Sequence, residues 1–366
     1  MEDVDVAIVG GGVVGLASAR AIAKHGLSTC ILERHPRVGL ESSTHNSGVI
    51  HAGIYYPHGS LKAKLCVKGR EELYRFCEEH DIPYAKCGKL IVGLRDEDTT
   101  RLEQLARQGC KNGVEDLILV SRDFIHNREP AVDARIALWS PSTGIVETES
   151  LIKALVRTIH ADNIYLLRGT KVEGGDTRNG LIELSTIQER ILARVVVNAA
   201  GLYADELSMI LGGEHFKIYP VRGEYAELVP SACHLVNGLV YPLPDSSGHG
   251  LGVHLTRTTW NTVTVGPTAR YQSAKDDYEA NRLPLTTFHK SALQLIPQLK
   301  IDQLKYGSSG IRAKCNSSKE PPADFIIRRD AKIPTLIHAA GIDSPGLTAC
   351  LAIGQMVAEL VKETLD

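Results

Sequence analysis

Gly10, Gly12 and Gly15 stand in the pattern G-x-G-x-x-G. The short β-branched run Val4–Val9 precedes them, and the Ala-rich, helix-compatible stretch Leu16–His25 follows. Gly26 ends that stretch, a second apolar run covers Leu27–Leu32, and Glu33 closes it. This order of types binds a dinucleotide. The first glycine permits a tight turn, the second lets backbone approach a pyrophosphate, and the third lets helix pack on strand. Val13 and Val14 then offer N–H groups at a positive helix end. Glu33 stands where an acidic side chain accepts the hydroxyls of an adenosine ribose, and it would repel a 2′-phosphate.

The next segment separates FAD from NAD. Arg34-His35-Pro36-Arg37-Val38-Gly39 leads into Glu41-Ser42-Ser43-Thr44-His45-Asn46-Ser47-Gly48. This polar, glycine-punctuated stretch replaces the prompt return to helix of a simple NAD dehydrogenase, and it is long enough to follow an extended FAD. It resembles the FAD-binding fold of the D-amino-acid oxidase and glycine oxidase superfamily. Two later strand-to-turn units fit the same plan. Val195–Ala199 runs into Ala200-Gly201-Leu202, and Thr335–Ala340 runs into Gly341-Ile342-Asp343-Ser344-Pro345-Gly346-Leu347-Thr348 before a helical stretch over Ala349–Leu360. The resemblance implies that the first unit closes on the dinucleotide. It implies that the second turns backbone N–H groups and a helix N-terminus toward the flavin, where a dipole favours negative charge. The cofactor set also takes in Val172, and His45 is expected to support the flavin or its phosphates.

A more specific resemblance rests on His45-Asn46-Ser47-Gly48-Val49-Ile50-His51-Ala52-Gly53-Ile54-Tyr55-Tyr56, Ser60–Cys66 and Cys87-Gly88-Lys89-Leu90-Ile91-Val92. Thr143–Val146, Val221–Tyr225, Tyr241–Asp245, Leu251–Thr256, Gly266-Pro267 and Gly310–Ala313 extend it over most of the chain. Together these closely resemble the L-2-hydroxyglutarate dehydrogenase/oxidase family. The chain departs from the family in a shorter 267–309 segment and in the turn Gly341-Ile342-Asp343-Ser344-Pro345, where relatives carry Asn-Ala-Pro-Ser-Pro or similar. The resemblance implies oxidation of a 2-hydroxy acid to the 2-oxo acid, with hydride passing to flavin N5. Oxygen, a quinone or a carrier flavoprotein would then accept the electrons.

Such a reaction needs a carboxylate holder and a base. The superfamily's G-[LIV]-R motif, here Gly310-Ile311-Arg312, puts an arginine over the flavin, and a guanidinium fork suits a carboxylate. His254 and His51 are candidate bases, because imidazole titrates near neutral pH. His254 is placed first, on a strand expected to face the flavin. For each, a satisfied core histidine is the alternative. Lys62 or Arg257 would supply a second cation for a dicarboxylate, and Tyr241 a hydrogen bond to substrate. A solvated helix face is the alternative for Lys62, Lys64 and Lys68, and a core aromatic is the alternative for Tyr241.

The elements that must position these groups follow from length and composition. A chain of 366 residues holds about two domains. With 43% hydrophobic and 23% charged residues it is an ordinary globular sequence, and its net charge of −2 without a basic run argues against nucleic-acid binding. No apolar stretch reaches the ~20 residues that span a bilayer. The acidic start Met1–Asp5 lacks the marks of a signal or transit peptide, so no removable leader is expected. Eight scattered cysteines without C-x-x-C read as reduced thiols, and no zinc spacing appears. These features suggest a cytoplasmic protein with no transmembrane segment, peripheral contact with the inner membrane face being left open.

The expected fold is α/β. A discontinuous Rossmann-like FAD-binding domain would take 1–80, 150–215 and 308–366. An α+β, antiparallel-sheet substrate domain would take 81–149 and 216–307. Strands are expected at Lys89–Leu94, Glu224–Val229 and Thr262–Val265, and an amphipathic helix near Glu97–Gly109. Two other functions compete with the 2-hydroxy-acid reading: an amino-acid or secondary-amine oxidase on the same fold, and a flavin-fold binding protein without redox work.

Overall fold

The computed structural model describes residues 2–162, 164–244 and 252–366. Asp245 and Leu251 of the motifs above lie outside them. Glu2–Val9 forms the centre of an eight-stranded sheet. It runs parallel to Thr29–Glu33 on one side and to Arg190–Asn198 on the other. Leu336–Ala340 extends the parallel set beyond Arg190–Asn198. Thr29–Glu33, Leu336–Ala340 and the inner stretches Val6–Val9 and Val195–Asn198 are buried throughout, as expected of a sheet covered on both faces. Their registers pair Val9 with Leu32 and with Asn198, and Asn198 with His338. The strands therefore end at one level, where an open parallel sheet binds its ligand.

Three helices cover one face of that sheet: Val13–Ala23, Thr148–Ala161 and Gly346–Leu365. Leu16, Ile22, Leu151, Leu155, Ile353 and Val357 fill the space between them and Val6, Ile8 and Ile31. Helix Leu61–Glu79 packs across Gly346–Leu365. Its N-terminus is capped by Ser60, whose Oγ accepts the Ala63 N–H at 3.1 Å, and by Asp324, which accepts the N–H groups of Leu61 and Lys62. No described helix is long and apolar enough to cross a membrane, and no disulfide forms.

A nine-stranded sheet makes the second layer. Its strands include Lys89–Gly93, Ile136–Ser140, Tyr219–Leu228, Leu239–Pro242, His254–Arg257, Val263–Gly266 and Leu304–Lys314. It is mixed rather than purely antiparallel, because Leu239–Pro242 runs parallel to Lys89–Gly93. The expected domain boundary at 308 falls inside Leu304–Lys314, which pairs along Tyr219–Leu228 with an irregularity between Glu224 and Ala226. Arg312 is thus carried by the second sheet. The expected amphipathic helix is present over Asp98–Lys111, with Leu102 fully buried. A small sheet of Val49–Ile50, Tyr84–Ala85 and Gly144–Val146 lies apart from the two large ones.

The first strand and first helix meet at a contact with no room for a side chain. A Cβ on Gly15 would lie 1.9 Å from the Gly10 carbonyl oxygen, and both atoms belong to rigid segments. Gly15→Ala is expected to cost about 3 kcal/mol, the upper range for overpacking a closed core. Urea unfolding checks this, and an unchanged midpoint would mean that the helix can slide on the strand.

Candidate functional site

A cavity of about 1180 Å³ opens where the parallel strands end and continues beneath the second sheet. Gly10, Gly12, Glu33 and Arg34 line one end, and His51, Tyr241, His254 and Arg312 line the other. The volume exceeds the ~300–1,000 Å³ of ordinary small-molecule sites and suits a dinucleotide with a substrate beside it.

At the first end the glycine turn is shaped by its neighbours. Gly10 has φ +116°, and a Cβ there would meet the Ala199 carbonyl oxygen at 2.3 Å. The Glu33 carboxylate is buried at the strand end. It accepts the Gly11 N–H at 2.8 Å on one oxygen and the His35 N–H at 2.7 Å on the other. Each oxygen keeps acceptor capacity for a hydroxyl. Helix Val13–Ala23 starts at Gly12 with no side-chain cap, and helix Gly346–Leu365 starts at Pro345 with none. Gly12, Val13, Val14, Gly346 and Leu347 all face the cavity. Two positive helix ends are therefore turned to one space. The donor set, the glycine cradle and the carboxylate fit FAD.

The polar segment after Glu33 lies along this cavity as expected. Ser43 Oγ accepts the Val13 N–H at 2.9 Å, and Ser42 Oγ donates to the Ile311 carbonyl at 2.7 Å. Arg34 stacks its guanidinium 3.8 Å from the Tyr203 ring centroid and pairs with Glu41. His45, Asn46, Ser47, Val172, Ala200, Gly201, Ile342, Asp343 and Ser344 also line the cavity.

Five residues of the expected cofactor set do not reach the wall. Gly15 is spent on helix-to-strand packing. Thr44 donates its hydroxyl to the Gly39 carbonyl, and Gly48 has φ +63° against the Val146 carbonyl. Gly341 turns against Cys315. Thr348 Oγ1 accepts the His51 N–H at 3.0 Å and donates to the Val49 carbonyl, so it fixes a cavity residue from behind.

At the second end, strand His254–Arg257 presents His254, which stacks on Tyr241 with centroids 3.7 Å apart. His254 Nδ1 lies 3.0 Å from the Gly252 carbonyl. A carbonyl only accepts, so Nδ1 carries the proton and Nε2 is the acceptor. His51 Nε2 lies 3.3 Å from Ser344 Oγ, and its Nδ1 is buried without a partner among the described residues. Arg312 donates to the Thr268 carbonyl at 3.4 Å, and no carboxylate pairs with it among the described residues.

The expectation that these imidazoles titrate near neutral pH is corrected. Burial pushes His254 down to about 3, with Arg312 and Lys89 adding to the effect and the Gly252 bond opposing it. Burial also pushes His51 down to about 3, assisted by Lys89, His254 and Arg312. Both rings are neutral bases at working pH.

The two expected distal cations fare differently. Lys62 stands at the cavity wall, but its ammonium lies 2.6 Å from Asp343, so its charge is already matched. Arg257 is not at the cavity. Its Nη1 donates to the Cys233 and Val236 carbonyls and its Nε to Asn261, so it ties loops together on the far side of its strand.

Sequence reasoning passed over Lys89, Tyr55 and Tyr225. Tyr55 and Tyr225 line the cavity. Lys89 is 1% exposed and lies 4.6 Å from the Tyr55 ring centroid and 4.7 Å from that of Tyr241. A lysine opening an otherwise apolar strand was the available signal.

A profile of the FAD dependent oxidoreductase family matches residues 5–360. The chain is 35% identical to the mitochondrial L-2-hydroxyglutarate dehydrogenase of Nematostella vectensis, over 99% of this chain and 91% of that protein. It is 31% identical to the L-2-hydroxyglutarate dehydrogenase of Indibacter alkaliphilus, over 98% of each chain. Among solved structures, the FAD-bound L-alpha-glycerophosphate oxidase of Mycoplasma pneumoniae superposes with a TM-score of 0.91 at 27% identity, covering 99% of this chain and 95% of that one. Glycine oxidase from Geobacillus kaustophilus, at TM-score 0.84 and 23% identity, shares the fold, with 99% of this chain and 95% of that one covered.

The depressed histidines make stability depend on pH. Below the ordinary histidine value of 6.5 the unfolded chain takes up protons that the folded chain refuses until about 3. Their contribution is fully present above 6.5 and is lost as the pH falls. Each histidine adds up to about 1.4 kcal/mol per pH unit in that window. Urea unfolding at pH 7.5 and 5 should show this loss, and His254→Gln should make it shallower. Equal stability at the two pH values in the parent would contradict the buried neutral state.

Proposed function

The chain belongs to the FAD-dependent oxidoreductase family and, within it, to the family of the L-2-hydroxyglutarate dehydrogenases, and from this premise we propose that it oxidises L-2-hydroxyglutarate to 2-oxoglutarate. The observation that carries the reading is the pairing of an unmatched arginine with two neutral imidazoles at one cavity end.

FAD, when bound, supplies the two-electron acceptor. Gly10, Gly12, Glu33 and the two uncapped helix ends would hold it. The Arg312 fork holds the substrate α-carboxylate, which places the carbinol carbon and its hydroxyl. His254 Nε2 takes the hydroxyl proton. Its Nδ1–H stays on the Gly252 carbonyl, which fixes the tautomer and the ring plane. Tyr241 keeps the imidazole from tilting by stacking on it. An alcohol does not ionise near neutral pH unaided, so a positioned base contributes about 10²–10⁴-fold. His51 faces the same space and is anchored through Thr348, on the segment that also follows the cofactor.

The amine-oxidase reading finds less support. An ammonium substrate calls for an aromatic cage or an acidic partner; tyrosines line this end, but Arg312 stands among them and Lys89 lies against the Tyr241 ring. The non-catalytic reading leaves the tautomer-fixed imidazole without a purpose.

Anaerobic addition of L-2-hydroxyglutarate should bleach the visible flavin band, and a panel of amino acids should not. The reverse pattern would replace the substrate class. Arg312→Lys keeps charge but loses the fork. It should lose about 2–4 kcal/mol of transition-state stabilisation in kcat/KM, at unchanged flavin content.

For the base, His254→Ala should slow single-turnover flavin reduction by roughly 10²–10⁴-fold with flavin still bound. His51→Ala should also disturb the flavin spectrum. If His254→Ala reduces as fast as the parent while His51→Ala alone is slow, the two histidines exchange roles.

A further inference from the structure

Lys89 is a cation in an unusual place. It opens strand Lys89–Gly93, whose five residues are all buried. The strand lies inside the second sheet, between Leu239–Pro242 and Ile136–Ser140. An ammonium there loses its hydration and ordinarily needs a carboxylate. Among the described residues none lies within ion-pair distance of Lys89. Its ammonium lies against two ring faces, those of Tyr55 and Tyr241, with Cys66 nearby. Burial pushes the ammonium down to about 7, as expected of a cation without a counter-ion.

Both tyrosines line the cavity end that holds His51, His254 and Arg312. This end is therefore lined by one cation and two neutral imidazoles, with the Lys89 amine packed on two of its tyrosines and close to half-charged at neutral pH. Arg312 accounts for one incoming carboxylate, and the second positive charge is left over. The other cations that might have served a second carboxylate are committed. Lys62 is paired with Asp343 at 2.6 Å and Arg257 is spent on backbone carbonyls, while Lys314, 4.0 Å from the same carboxylate, shares that single negative charge with Lys62.

We propose that Lys89, held between Tyr55 and Tyr241, is the specificity-determining residue that selects 2-hydroxy acids with a second, distal carboxylate over monoacids of the same length. The proposal rests on the reading of this site as a 2-hydroxy-acid oxidising site. The ammonium acts from between the rings. The low polarity around it lets the charge be felt across the cavity wall, where an exposed lysine would be screened. The ring faces hold a cation without neutralising it, which leaves its charge available to a diacid.

The test uses the FAD-loaded full chain. L-2-hydroxyglutarate and L-2-hydroxypentanoate have the same chain length and differ in the distal carboxylate. The ratio of their kcat/KM values is measured for the parent and for Lys89→Met. The flavin spectral shift on titration with glutarate, and with pentanoate, gives binding without turnover. Lys89→Met should lower kcat/KM for the diacid by roughly ten- to a hundredfold, mainly through KM, and weaken glutarate by a similar factor. L-2-hydroxypentanoate and pentanoate should hold or improve.

A parallel loss for both substrates, or an unchanged ratio, overturns the assignment while the 2-hydroxy-acid reading stands. If Lys89→Met fails to fold, the parent decides through the inhibitors: pentanoate binding as tightly as glutarate overturns the role of Lys89. If no 2-hydroxy acid bleaches the parent flavin, the underlying reading falls instead.

Discussion

The end of the first strand and the start of the first helix approach more closely than any side chain allows, with the Gly10 carbonyl in the place a Gly15 Cβ would take. Much of the cofactor end depends on this contact. It sets the helix start at the mouth of the parallel sheet, with Gly12, Val13 and Val14 at the cavity wall. It puts the Gly11 N–H on the Glu33 carboxylate, which fixes that side chain at the end of the neighbouring strand. It brings Val13 under Ser43, so the polar segment after Glu33 follows the cavity instead of leaving it. A wider spacing would break these three relations together.

The two ends of the cavity use different electrostatics. At the glycine end the positive potential comes from backbone: two helix starts whose N-cap residues give no side-chain cap, and whose dipoles are fixed and cannot titrate. At the histidine end it comes from side chains, Arg312 and Lys89, set among buried aromatic rings. Those charges favour the neutral form of both imidazoles, in the same direction as burial. The cations that suit an acid substrate thus keep the neighbouring imidazoles unprotonated and, by the same field, weaken them as proton acceptors.

The glycine motif was legible in the sequence because each of its residues acts through local geometry: a turn, a close approach, a helix end. The roles of the later turns at Ala200-Gly201 and Gly341–Thr348 came from the family resemblance instead, and of the second turn Gly341 and Thr348 do not reach the cavity wall. Sheet membership was less visible. Leu304–Lys314 pairs with Tyr219–Leu228, a partner about 80 residues away that no local pattern announces, so the expected boundary cut the strand. Arg257 could have been set aside from sequence. It lies three positions from His254 on one strand, and side chains an odd number apart point to opposite faces. Lys89 was missed because it reads as the solvated edge of an apolar run. Its character comes from Tyr55 and Tyr241, which reach it from other elements.

One hydrogen bond joins the two layers across the cavity. The Ser42 hydroxyl donates to the Ile311 carbonyl, one residue before Arg312. Ser42 belongs to the polar segment after Glu33 that lines the cavity, and Ile311 belongs to the strand that carries Arg312. The bond ties the segment to the strand one residue from the arginine. A change in the spacing of the two layers at this point must therefore stretch or break the Ser42–Ile311 bond.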